Sequence, residues 1–69
     1  MRSRVATLHL ELEYAQQCLE QARIALAEAR CAHASTAVLH AKRKAMRDRE
    51  TYVRLVRRDY EAALRRDVT

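Results

Sequence analysis

Apolar residues recur along the first half of the chain in alternating steps of three and four. Val5, Leu8, Leu12, Ala15, Leu19, Ala22, Leu26 and Ala29 form one unbroken series. That spacing predicts an amphipathic helix over about residues 3–32, with Val or Leu at heptad position a and Leu or Ala at d. The g-type positions Cys18, Ala25 and Ala32 are small, which lets a second helix approach closely. A second series, Leu39, Lys42, Met46, Arg49, Val53, Val56, Tyr60 and Ala63, predicts another helix over about residues 36–66. Lys42 and Arg49 interrupt it, but their aliphatic stems can cover apolar surface while the charged ends reach water.

The two series are out of phase. Extended onward, the first register runs through His33, Thr36, His40, Arg43, Arg47, Glu50, Arg54 and Arg57, which are all polar. One straight helix would therefore lose its seam near residue 33. The break falls at His33-Ala34-Ser35-Thr36-Ala37. Ser35 or Thr36 can cap a new helix there by accepting a bond from a free backbone N–H. No Glu or Gln follows three residues later, so no capping box forms.

A fold about residue 34 brings the seams together. It sets Val5 near Ala63, Leu8 near Tyr60, Leu12 near Val56, Ala15 against Val53, Ala22 against Met46 and Ala29 against Leu39. The expected fold class is all-α: one domain over residues 1–69, a two-helix antiparallel coiled-coil hairpin with its turn near 33–36. The alternative is one continuous helix of about 100 Å that forms a coiled-coil oligomer.

Composition bears on that choice and on function. The chain of 69 residues has no Gly, Pro, Trp or Phe, and it also lacks Asn. The missing Gly and Pro favour the continuous helix, whereas the seam break favours the hairpin. Gly-rich phosphate loops and Asn-Gly or Gly-led β-hairpin turns have no raw material here. A chain this short buries a small core and gains from further contacts.

Charge is uneven. Residues 1–34 carry four basic and four acidic side chains, and residues 35–69 carry ten basic against five acidic. The net charge of +5 thus belongs to the second half, densest from Lys42 to Arg58. Such asymmetry points to an acidic partner surface, nucleic acid or anionic lipid, against a plain reading as a solvated helix face.

Cys18 and Cys31 would lie roughly 20 Å apart on one helix, too far for a disulfide. Two free thiols and the lack of a long apolar run favour a cytoplasmic protein with no membrane span. His9, Cys18, Cys31, His33 and His40 lack the three- or four-residue ligand spacing of a helical zinc site. Ser3 and Ser35 have no evident triad, and Glu11/Glu13 and Asp48/Glu50 diverge on a helix. No catalytic, cofactor or metal site is expected.

A second apolar set is more informative. Leu10, Tyr14 and Ile24 lie off the seam, with Gln17 and Gln21 between them. They read either as scattered surface residues or as a contact stripe for another subunit or partner. The basic stretch from Ala41 to Arg58 allows an alternative function as a small helical nucleic-acid-binding protein. Tyr52 and Tyr60 read as seam residues and not as base-stacking platforms.

The segment Arg47–Asp67 has an aromatic at Tyr52, then Leu55-Val56-Arg57-Arg58 followed by Asp59 and an acidic-apolar stretch. It resembles the C-terminal helix of the type III secretion ATPase stalk proteins, over about a third of the chain. That resemblance implies a long antiparallel two-helix coiled coil in the bacterial cytoplasm. It also implies insertion into a hexameric secretion ATPase and contact with export-gate and chaperone proteins. Arg54, Arg57 and Arg58 would belong to the basic partner-facing surface. In architecture the chain is also similar to the small hairpin co-chaperones of type III needle subunits. The expected function is therefore a non-enzymatic interaction module, a homo- or hetero-oligomer, with Leu10, Tyr14, Ile24, Arg54, Arg57 and Arg58 as contact residues.

Overall fold

A computed structural model describes residues 3–68; residues 1, 2 and 69 of the expected domain lie outside the described residues. Helix α1 spans Arg4–Cys31 and helix α2 spans Thr36–Val68. They fold back on one another as an antiparallel hairpin, 52 Å long and about 16 Å by 14 Å across. The all-α hairpin expected from the two seams is the fold observed. The continuous-helix alternative is not.

The start of α1 follows from Ser3. Its backbone is extended and its Oγ accepts the Ala6 N–H at 3.1 Å, which satisfies one of the orphan donors at a helix N-terminus. The turn is built without glycine. His33 takes a left-handed conformation with φ 54°. Its N–H donates to the Arg30 carbonyl at 3.1 Å, and the Ala34 N–H donates to the Ala29 carbonyl at 3.0 Å. This pair of bonds is a Schellman motif, with histidine where glycine usually stands. Histidine is among the residues that enter the left-handed region more readily than most, at some steric cost. Ser35 then starts α2. Its Oγ accepts the Val38 N–H at 3.3 Å and its carbonyl accepts the Leu39 N–H at 3.0 Å. Of the two candidate caps, Ser35 is the one used.

The seam of α1 is the buried face. Leu8, Leu12, Ala15, Leu19 and Leu26 are buried, and Ala15 is 0% exposed. Val53, Val56 and Ala63 are buried from α2. Leu12, Ala15, Leu19, Val53 and Val56 form one cluster, with Met46 and Tyr60 packed against it. Full burial of each Leu or Val contributes about 1.5–3 kcal/mol. The central Ala15 leaves room for the facing backbone to come close. Lys42 and Arg49 are exposed, so the second seam is held from Val53 onward and weaker toward the turn.

Tyr60 is half-buried as a seam residue, beside His9 at a ring separation of 5.7 Å. Tyr52 differs from expectation. It is 39% exposed, because it precedes Val53 by one position and the 100° step per residue carries its ring to the edge of the interface.

Candidate interaction surface

The hairpin has two long sides, and they differ in chemistry. On one side Tyr14 and Cys18 of α1 meet Arg49 and Tyr52 of α2 around a shallow depression. The depression continues toward the turn over Gln21, Ala22, Ala25, Lys42 and Ala45. Cys18, Ala25 and Ala45 are half-buried, and their small side chains are what keep this side flat. At its far end the Tyr52 hydroxyl donates to Glu11 Oε1 at 2.9 Å.

Both tyrosines of this side titrate above the usual value of 10.0. For Tyr52 the hydrogen bond to Glu11 is the largest cause, followed by partial desolvation and the negative charge of Glu11. A donor to a carboxylate keeps its proton. For Tyr14 the hydrogen bond with Cys18 comes first, then the thiolate charge of Cys18 and desolvation, with Arg49 opposing them.

The opposite side is charged. Arg54 and Arg57 line a shallow groove with Glu20, Arg23, Glu50 and Gln16 over the edges of Leu19 and Val53. Arg58 is exposed on α2. The six expected contact residues therefore do not form one surface. Tyr14 belongs to the flat apolar side, and Arg54 and Arg57 belong to the charged one. Leu10 is 46% and Ile24 47% exposed, and both lie on the outer surface of α1, away from the seam.

Sequence reasoning missed Tyr52 and Ala45 as parts of a surface. The signal was present as a second three–four series on α2, Val38, Ala41, Ala45, Tyr52 and Leu55, with Asp48 inside it. It runs one helix quarter-turn away from the main seam, as in bundles where one helix packs against two others.

Both cysteines are free. Among the described residues no three His, Cys, Asp or Glu side chains come together to hold a metal ion. No described helix is long and apolar enough to cross a membrane. Comparison with protein-family models, curated proteins and solved structures returns no match.

Proposed function

We propose that this chain is a non-enzymatic protein-interaction module whose exposed side chains meet helical partner proteins. One observation carries the reading. Among the described residues, Leu10, Tyr14, Ile24, Val38, Tyr52, Leu55 and Leu64 are all more than a third exposed, although the hairpin has already buried its seam. Such residues on a two-helix protein are contact area that the monomer does not use. In its specific form, the reading is a cytoplasmic type III secretion accessory protein, stalk-like or chaperone-like. Its support is the resemblance over Arg47–Asp67, together with the exposure of Arg54, Arg57 and Arg58 along α2. Incubation with purified hexameric secretion ATPase tests it. Retention is expected, and a Leu10/Tyr14/Ile24→Ser triple variant should lose the ATPase while keeping its helicity. No retention by the native chain would overturn the specific form.

A second reading rests on a separate observation. Arg43, Arg47, Arg54, Arg58 and Arg65 follow steps of four and seven along α2, which places them on one outer face over about 33 Å. Among the described residues Lys44–Asp48 is an ion pair at 3.0 Å and His9 contacts Glu13 at 2.9 Å, and neither involves any of these five arginines. Such a stripe suits a polyanion, and nucleic acid is the alternative partner. Neutralising five phosphates gives a slope of about −4.5 in log affinity against log salt. Absence of binding to duplex and single strands at low salt would remove this reading.

A further inference from the structure

The flat side bearing Tyr14 and Tyr52 is self-complementary. We infer that it is the interface of a homodimer, in which two hairpins pack face to face with their turns at opposite ends. The inference rests on the reading of the chain as an interaction module and names the partner of this side as a second copy.

The register within one hairpin is the starting point. His9 beside Tyr60, and the cluster of Leu12 and Ala15 with Val53 and Val56, put residues level when their numbers sum to about 68. A two-fold axis lying across the helices sets α1 against α1 and α2 against α2, each pair antiparallel. On α2, Tyr52 then covers Ala45 of the second copy and Leu55 lies over its Ala41–Lys42 step, if the axis passes at Asp48–Arg49. On α1, Tyr14 covers Ala25 of the second copy and Cys18 meets its Gln21, if the axis passes between Leu19 and Glu20. The hairpin register makes those two places level.

At that axis Tyr14 and Tyr52 each lie on an alanine, and Asp48, paired with Lys44 of its own chain, comes beside both Asp48 and Arg49 of the second copy. Glu11 comes level with Glu28 of the second copy about 13 Å from the axis, and Asp59 lies further out. The rival two-fold, parallel to the helices, puts both turns at one end. It sets Tyr14 against Tyr52, large on large, and loses the Asp48–Arg49 match. The area is also adequate. The side measures 52 Å by 16 Å, so covering it end to end would contribute roughly 800 Å² per partner, as in a standard stable interface. Covering it joins the two small cores into a four-helix bundle, the usual remedy for a chain of this size.

The test reads mass and distance on the full chain. Sedimentation should show a species of twice the 8.0 kDa chain mass. Ala45→Glu places a charge under Tyr52 of the second copy and should return the protein to a monomer with unchanged helicity. Ala41→Glu, at an exposed position, should weaken the dimer in the same sense and serves if Ala45→Glu disturbs the hairpin. A spin label on Cys31 in a Cys18→Ser background reports the arrangement. Turns at opposite ends put the two Cys31 backbones about 35 Å apart, and turns at one end put them within about 15 Å. A monomer at every concentration, a dimer that survives both variants, or the short distance would overturn the inference. A monomeric native chain that still retains the secretion ATPase would overturn self-association alone and leave the proposed function standing.

Discussion

The Tyr52 hydroxyl donates to Glu11 Oε1 at 2.9 Å, a side-chain bond between α2 and α1 across 41 positions of sequence. Glu11 and Tyr52 directly precede Leu12 and Val53 of the buried cluster, so the bond ties the two helices at the edge of the seam. The same bond holds Tyr52 in its protonated form, so the stability of the hairpin acquires a dependence on alkaline pH.

The sign follows from the direction of the shift. The folded-state value of Tyr52 lies above the ordinary 10.0, and that of Tyr14 also lies above it. The stabilising contribution is fully present below the unfolded value and is lost as pH rises through the folded one. Thermal melts at increasing pH should fall above about pH 10. In Tyr52→Phe the fall should be shallower, because one of the two shifted groups is gone. An alkaline fall as steep in Tyr52→Phe as in the native chain would show that the Glu11 bond is not a source of the dependence.

Ala15 fixes how closely the helices approach. Replacing it with Leu inserts volume where there is none to take it, and should cost about 1–3 kcal/mol. Leu26→Ala opens a cavity nearer the turn and should cost about 2–5 kcal/mol. Urea unfolding of both variants checks the pair. Tolerance of Ala15→Leu without loss would mean that the helices stand further apart than the buried alanine indicates.

His33 holds a left-handed backbone that glycine adopts without strain. His33→Gly should stabilise the hairpin by about 1 kcal/mol, since the relief of the side-chain clash exceeds the added unfolded-state entropy. His33→Val, with a branched β-carbon, should destabilise it. Denaturant midpoints decide the order of the three, expected as Gly, then His, then Val.

Ser35 begins α2 through its Oγ. Ser35→Ala should cost about 1 kcal/mol, and Ser35→Asp should retain most of the cap. The loss should appear as fraying of the first turn of α2, visible as faster hydrogen exchange at the Val38 amide.

The heptad seam was the most legible part of this fold. Leu8, Leu12, Ala15, Leu19 and Leu26 were readable as the buried face because spacing alone selects one side of a helix. The turn was legible in place but not in chemistry. Ser35 announced itself as a cap, whereas His33 did not announce a left-handed residue, since only backbone geometry shows that. Tyr52 was misplaced because a single-residue step decides between seam and edge, and sequence spacing does not set the rotation of a helix to that precision. The candidate surface was half legible. Tyr14 was found from α1, but its neighbours Tyr52 and Ala45 come from the other helix and join it only through the hairpin register.

Helices α1 and α2 fold back so that their seams meet, and the separation between the two far ends of the hairpin depends on that fold. The separation of labels at Thr7 and Glu61 tests it most directly. Both positions are exposed, so Thr7→Cys and Glu61→Cys in a background without Cys18 and Cys31 leave the core untouched. With labelled chain diluted in unlabelled chain, the hairpin predicts a separation within about 20 Å. A separation near 80 Å, the rise of one continuous helix between those positions, would rule the hairpin out.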